Sequence, residues 1–232
     1  MILRGENKRA QVAIFIIIAL VAVVLVVGFF IFRSGLVDQS LPVSIEPVYT
    51  TFLTCLEEDV LVGLGILGSQ GGYIELPEYD SGSEYMPFSS QLNFMGHPVP
   101  YWYYVSGNNI EKSQVPSLSF MQRELASFVE ERIRDCAMEN YYDEGYEISF
   151  GEPEARTRIK NSEVIVDLEM TITIENSAAE ENAIIKKLSV SVRSELGKLY
   201  DSAREVYDEE QATLFLEKRG LDIIRNYAPV DG

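Results

Sequence analysis

The stretch EVIVDLEMTITIE, from Glu163 to Glu175, alternates apolar and polar side chains, with Ile165 as the one apolar residue among the polar positions. The apolar positions are Val164, Val166, Leu168, Met170, Ile172 and Ile174. Because neighbouring side chains of a β-strand point to opposite faces of the sheet, this pattern predicts a strand with one buried face and one solvated face. Such strands are typical of antiparallel sheets that are covered on one side, so this stretch decides the fold class of the folded domain.

Further strands are predicted on both sides of this central one. Tyr146–Phe150 and residues 154–160 precede it, and a turn at Asn161 and Ser162 joins it to the second of them as a hairpin. Residues 183–194 repeat the alternation with four apolar side chains inward: Ile184, Leu188, Val190 and Val192. Two shorter strands are predicted earlier in the chain, at residues 73–76 and 99–105.

Four helices are predicted around this sheet. The first covers residues 48–67, with Phe52, Cys55, Leu56, Val60 and Leu64 at helical spacing and Gly68 at its end. The second follows Pro116 and Ser117 and runs to about Asn140, with Ser119 and Gln122 spaced as a capping box.

The other two predicted helices lie at the C-terminal end of the chain. Residues 195–219 form the third, stopped by Gly220, and residues 221–227 form a short last helix. The inward side chains expected on the third are Leu199, Ala203, Val206, Tyr207 and Leu214. Together the elements predict an α+β domain whose helices pack on one face of an antiparallel sheet.

An uncharged apolar run of 21 residues, from Val12 to Phe32, lies near the N-terminus between basic residues. As a helix it would span the roughly 30 Å hydrocarbon core of a bilayer, so it predicts one membrane-spanning segment. A cleaved secretory signal is the alternative, but its apolar part is only about 7 to 15 residues long. The excess of Arg4, Lys8 and Arg9 on the N-terminal side predicts a cytoplasmic N-terminus.

This topology divides the chain into four parts. Residues 1–9 form the cytoplasmic N-terminus, residues 10–33 the transmembrane anchor, residues 34–47 a tether and residues 48–232 the extracytoplasmic α+β domain. The protein is therefore expected in the cell membrane as a single-pass protein with its C-terminal domain outside.

The start of the anchor, Arg9–Val12 (RAQV), resembles the class III signal of archaeal type IV pilins and archaellins. The resemblance implies cleavage between Ala10 and Gln11 on the cytoplasmic side. The chain departs from that pattern at Phe15, where many pilins carry Glu. It also places helix-interrupting residues soon after the bilayer, at Gly35, Pro42 and Pro47.

The whole chain is also similar to a group of uncharacterised, membrane-anchored surface proteins of small-genome archaea. The similarity is carried by KRAQVAIFIII (8–18), Cys55 and Leu56, QGGYI (70–74), VPYWYY (99–104) and Cys136. It implies an anchored surface protein and assigns no activity.

The strong acidity of the chain restricts its partners. Its formal net charge is −17, and residues 1–33 carry four basic residues against Glu6, so the outer part is near −20. Such a surface argues against nucleic acid or anionic lipid as a partner. No calcium-loop spacing, phosphate loop or dinucleotide fingerprint is present in the sequence, so neither a metal nor a cofactor is predicted.

No constellation of catalytic residues stands out in the sequence. The single histidine, His97, lies between Gly96 and Pro98, and the many carboxylates form runs typical of solvated helix faces. The expected function is therefore non-enzymatic, an interaction or envelope role that involves another surface protein or envelope component. A pilin-like filament subunit is the first alternative and a surface hydrolase the second.

Two features of the outer domain predict specific sites. Cys55 and Cys136 are the only cysteines, and both fall on the predicted outer side, which favours a disulfide; two buried free thiols are the alternative.

Nine aromatic residues fall between Tyr73 and Tyr104, so the run Tyr101, Trp102, Tyr103 and Tyr104 is the candidate binding surface. Core packing is the alternative for these four rings. In a strand, Tyr101 and Tyr103 would face one side, and Trp102 and Tyr104 the other.

Overall fold

A computed structural model describes residues 41–227 as an α+β domain. The helices are α1 (Glu46–Ser69), α2 (Leu118–Arg132), α3 (Glu139–Asp143), α4 (Leu196–Thr213) and α5 (Phe215–Tyr227), with a 3-10 turn at Ile133–Asp135. The strands are β1 (Gln91–Phe94), β2 (His97–Pro100), β3 (Tyr103–Val105), β4 (Glu111–Ser113), β5 (Tyr146–Phe150), β6 (Glu154–Ile159), β7 (Glu163–Asn176) and β8 (Glu181–Arg193).

The predicted membrane anchor and the Ala10–Gln11 processing site lie outside the described residues. Between residues 41 and 227 no helix has the length and apolar character needed to cross a membrane. α1 begins at Glu46, inside the range predicted as tether.

The long strand β7 is the centre of the main sheet, as its alternating pattern predicts. Along one edge, β8 pairs with nearly the whole length of β7. Along the other edge, β5 and β6 pair with β7 one after the other. Phe150 at the end of β5 lies opposite Ile172, and Glu154 at the start of β6 lies opposite Glu169. All pairings are antiparallel, and the six predicted apolar side chains of β7 are buried.

One prediction for β8 is wrong in register. Ile184 was expected inward but is 53% exposed, whereas its neighbour Ile185 is buried. The register between β7 and β8 shifts between Glu169 and Ile172, which changes the face to which the first half of β8 directs its side chains. Because side chains alternate along a strand, a shift of one residue exchanges the buried and exposed sets.

Two helices cover the buried face of the sheet, α1 over β8 and α2 over β6. α1 buries a row at helical spacing that begins with Val48, Phe52, Leu56 and Val60. α2 contributes Met121, Leu125 and Val129 to the same core. The prediction of helices packed on one face of an antiparallel sheet is therefore confirmed.

α2 also satisfies the outer edge of β6. The backbone N–H of Ala155 donates to Glu130 Oε1 at 2.7 Å, and that of Ile159 donates to Gln122 Oε1 at 3.0 Å. These bonds pair edge N–H groups that would otherwise be open to another strand. The predicted capping box is consequently wrong: Gln122 is committed to β6, and the N-cap of α2 is Ser117, whose hydroxyl accepts from the Phe120 N–H.

The predicted disulfide between Cys55 and Cys136 is confirmed. It joins α1 to the segment after the 3-10 turn. The second helix was predicted to run to about Asn140 but ends at Arg132. At Cys136 the backbone leaves helical geometry, with φ −59° and ψ 123°, and the chain restarts as the short helix α3. Nearby, Arg132 Nε donates to the largely buried carboxylate of Asp59 at 2.9 Å, a second link between the two helices.

The two strands predicted before α2 are not formed as expected. Residues 73–76 are not a strand, because the N–H groups of Ile74 and Glu75 donate to the Glu124 carboxylate of α2. The predicted strand 99–105 is divided between β2 and β3, which belong to two separate two-stranded ladders. Proline at positions 98 and 100 removes the N–H groups that a longer strand would use.

The C-terminal helices also differ from the prediction. α4 ends at Thr213 because Leu214 adopts a left-handed conformation with φ 53°, and Gly220 lies inside α5. Leu199, Val206 and Leu214 were expected inward but are 64%, 48% and 51% exposed. The side of α4 that meets the domain carries Tyr207, as expected, together with Gly197 and Tyr200.

Glycine at position 63 sets the closeness of α1 and α2. A Cβ added there would lie 2.4 Å from Cδ1 of the fully buried Leu125, whereas a Cβ at Gly65 meets no atom within 4 Å. Both alanine substitutions gain the same helix propensity, about 1 kcal/mol, so their difference isolates the packing cost. We expect Gly63→Ala to be less stable than Gly65→Ala by about 1 to 3 kcal/mol in urea unfolding. Equal stability of the two variants would contradict this packing.

The disulfide closes a loop with a sequence separation of 81 residues. In the loop-entropy model, removing such a link costs about 4 to 5 kcal/mol. We expect the Cys55→Ser, Cys136→Ser double variant to lose stability of this order in chemical unfolding. Non-reducing peptide mapping of the native chain is the control and should recover the two cysteine peptides joined. Free alkylation of both thiols in oxidised native protein would contradict the pairing.

Candidate functional site

The segment between α1 and α2, residues 77–115, is ordered mainly by polar contacts. Ser90 is fully buried at its centre: its N–H donates to Asp80 O at 2.8 Å, its carbonyl accepts from Tyr101 N at 3.0 Å, and its hydroxyl accepts from Asp80 N at 2.9 Å. Gln114 extends this hydrogen-bond network, because its side-chain amide donates to Tyr101 O at 2.7 Å. These bonds fix the two hairpins β1–β2 and β3–β4 in place without a large apolar core of their own.

Two glycines let distant parts of this segment touch. Gly82 has φ +75°, and a Cβ there would lie 2.5 Å from Met86 O. A Cβ at Gly107 would lie 2.9 Å from the carbonyl carbon of Gly82. The close backbone approach holds the tip of the β3–β4 hairpin against the loop around residue 82.

Many rings of this segment remain on the outside of the molecule. We define the aromatic surface as the exposed rings Tyr79, Tyr85, Phe88, Phe94, Tyr101 and Tyr103. Tyr85 and Phe88 are the most exposed of these, at 88% and 71%. At the tip of the β1–β2 hairpin, Met95 is 86% exposed and adds an apolar side chain beside Phe94.

The structure separates the four residues predicted as the binding surface. Tyr101 and Tyr103 are exposed, Trp102 is half-buried and Tyr104 is buried. The exposed pair and the inner pair follow the alternation expected of a strand, although only Tyr103 and Tyr104 belong to one. Loss of hydration first, and then the nearby Glu111 carboxylate, raise the pKa of the Tyr103 phenol.

Trp102 connects the aromatic segment to the C-terminal helices. Its indole Nε1 donates to Gly71 O at 2.8 Å, directly after the end of α1. Its ring centroid lies 6.2 Å from that of Tyr200 and 5.8 Å from that of Tyr207 on α4. The two tyrosine hydroxyls are themselves bonded, to Pro116 O at 2.9 Å and to Ser113 Oγ at 3.1 Å.

An open cleft of about 500 Å³ lies beside Trp102. Its lining residues are Trp102, Ser202, Ala203, Val206, Tyr207, Glu210 and Leu216. Glu210 is already engaged, because its carboxylate accepts from the Leu216 N–H at 2.7 Å. We call this the Trp102 cleft; its lining is mainly apolar, which suits apolar side chains.

Sequence reasoning missed the part that α4 and α5 play in this cleft. Leu199, Ala203 and Val206 recur at helical spacing, which is the signal of an apolar stripe, and that stripe was interpreted as a face turned toward the core. The periodicity is real, but it does not show whether the stripe contacts the chain's own domain or a partner.

Trp102 and its cleft lie at the end of α1 remote from where the chain enters the domain. At the first end, Ser44 bonds to Glu181 and its carbonyl accepts from the Tyr146 hydroxyl. At the other end, Gly71 receives the Trp102 indole. α1 has 24 residues between these points, a length of about 36 Å.

The side chains considered for chemistry do not assemble into a reactive group. His97 is exposed on β2. Between residues 41 and 227 no group of three or more His, Cys, Asp or Glu side chains is placed to hold a metal ion. On the outer face of the sheet, Lys187 pairs with Glu169 at 3.0 Å and Lys160 with Glu163 at 2.7 Å. Hydrogen bonds from these lysines lower the pKa of both carboxyls.

Comparison with known proteins adds no family to this description. No protein-family model, curated protein or solved structure matches the chain.

The different burial of Tyr103 and Tyr104 can be tested by measuring stability. Tyr104 is 8% exposed and Tyr103 is 37% exposed, although they are neighbours in the same strand. We expect Tyr104→Ala to lose about 3 kcal/mol because it removes a buried ring. Tyr103→Ala is the matched control and should change stability by about 0.5 kcal/mol or less. Thermal and urea unfolding measure both, and equal losses would contradict the assigned burial.

Proposed function

We propose that this protein is a single-pass, membrane-anchored surface protein that binds another macromolecule through the aromatic surface of its outer domain. The partner is another surface protein or an envelope component. The observation that carries the proposal is the set of exposed rings on a segment whose backbone is ordered by buried hydrogen bonds.

Exposed rings in such number favour an interface over solvent. Soluble domains seldom expose large contiguous apolar patches, and those that do use them for binding. Tyr and Phe supply broad contact area, and the tyrosine hydroxyl keeps the unbound surface hydrated. Because Tyr85 and Phe88 sit on a segment ordered by buried polar bonds, binding would immobilise few additional side chains.

Three features support the outer location. The apolar run of residues 12–32 suits a membrane anchor, and the basic residues before it favour a cytoplasmic N-terminus. The Cys55–Cys136 disulfide suits an oxidising compartment. The acidic surface disfavours nucleic acid and anionic lipid as alternative partners.

A pilin-like filament subunit is the second candidate. The RAQV segment before the apolar run supports it, and so does the position of α1, the first helix of the domain, along one face of an antiparallel sheet. Mass spectrometry of the mature N-terminus separates the two functions. A chain that starts at Gln11 favours the filament subunit, and an uncleaved chain favours the plain anchor.

Substitution of the two most exposed rings tests the binding surface. We expect Tyr85→Ala, Phe88→Ala to leave the unfolding midpoint unchanged and to weaken partner capture about 10-fold or more in crosslinking on intact cells. Tyr142→Ala is the matched control, because Tyr142 is 47% exposed on α3 and lies outside the aromatic surface. Unchanged crosslinks in the double variant would contradict the proposed binding surface.

The location is tested on the same cells. External protease should remove the domain from intact cells, because residues 48–232 are proposed to lie outside. Digestion only after lysis would contradict the outer location and leave the aromatic surface as a separate question.

A further inference from the structure

The last two helices carry an apolar surface that the domain itself does not cover. α5 buries none of its 13 residues, and α4 buries only Gly197. The exposed apolar side chains are Leu199, Val206, Leu214, Leu216, Leu221, Ile223, Ile224 and Tyr227. Ile224 and Tyr227 are 64% and 83% exposed, so a substitution there removes little packing within the chain.

Helical spacing collects these side chains into one stripe on each helix. On α5, Leu216, Ile223 and Tyr227 recur at intervals of seven and four, with Ile224 beside them. On α4, Leu199 and Val206 are seven apart and flank Ala203, at the wall of the Trp102 cleft. α5 therefore has the anchor pattern of a helix that docks into a groove, and α4 with Trp102 offers such a groove.

The charges of the two helices are opposite. α5 carries three basic residues, Lys218, Arg219 and Arg225, against Glu217 and Asp222, which gives a net charge of +1. α4 carries five acidic residues against two basic ones, which gives −3. The chain as a whole has a net charge of −17. The acidic α4 of a second copy would therefore repel α5 less than it repels the other parts of the chain.

We propose that α5 of one copy of this chain docks into the Trp102 cleft and against α4 of a second copy, and that α5 of the second copy does the same in return. This exchange satisfies the rule of a two-fold dimer, in which each surface meets its complement on the other copy. Ile223, Ile224 and Tyr227 enter the cleft, and Arg219, which flanks this stripe on α5, faces the acidic side of α4.

A second copy suits this surface better than a lipid bilayer. The chain itself offers a complementary surface, the Trp102 cleft and the acidic helix α4. α5 also carries only one net positive charge and follows the strongly acidic α4, which anionic headgroups would repel. Binding of α5 to a lipid surface is therefore the alternative outcome of the test.

The full chain purified in detergent micelles tests the dimer. We expect light scattering after size exclusion to give a dimer, and Ile223→Ser, Ile224→Ser to raise its dissociation constant at least about 10-fold with an unchanged unfolding midpoint. Leu92→Ser, Phe94→Ser is the matched control, because these side chains are also exposed, at 44% and 56%, but lie on strand β1. The control variant should remain a dimer.

Charge reversal tests the pairing of the two helices. Arg219→Glu should weaken the dimer at least about 10-fold, and Glu205→Lys, Glu209→Lys in the same chain should restore it. A wild-type monomer at tens of micromolar, association that survives the isoleucine changes, or a failed rescue would each overturn the proposal. So would a monomer whose fluorophore at Ile224→Cys is quenched by brominated lipid in phosphatidylcholine and phosphatidylglycerol vesicles, because that result assigns α5 to the membrane surface.

Discussion

The burial of one face of β7 against α1 and α2 is the interaction on which the rest of the domain depends. β7 has neighbours along both edges, so its backbone is paired, and its apolar row is covered by the two helices. Gly63 lets the helices approach closely, and Glu130 and Gln122 of α2 pair the outer edge of β6. Helix packing and edge protection are therefore provided by the same element, α2.

Two links fix α1 to the last residue of α2 and to the segment that follows it. The Cys55–Cys136 disulfide is covalent, and the Arg132–Asp59 ion pair compensates a carboxylate that the packing has largely removed from water. α1 in turn defines the long direction of the domain. Its N-terminal end lies where the chain enters, near Ser44 and Tyr146, and its C-terminal end supports Trp102 through Gly71. The proposed self-association surface depends on this second end.

The two proposed surfaces differ in how they are built. The aromatic surface belongs to hairpins and loops held by buried polar groups such as Ser90, so its rings can stay exposed on an ordered backbone. The surface of α4 and α5 belongs to helices joined through the left-handed residue Leu214 and attached to the domain mainly by Tyr200, Tyr207 and Gly197. We therefore regard them as two independent surfaces, one for a different macromolecule and one for a second copy.

The sequence by itself determined the antiparallel sheet and the two covering helices, because the alternation in residues 163–175 and the helical spacing in α1 and α2 are local patterns; it favoured a cysteine pair but left two free thiols open. Only the tertiary structure decided the rest. The shift between Glu169 and Ile172 exchanged Ile184 for Ile185, Glu124 took the N–H groups that a strand at residues 73–76 would have used, and the stripe of α4 was left outside. Each of these outcomes depends on a partner distant in sequence, and periodicity shows that a face is apolar without showing what meets it.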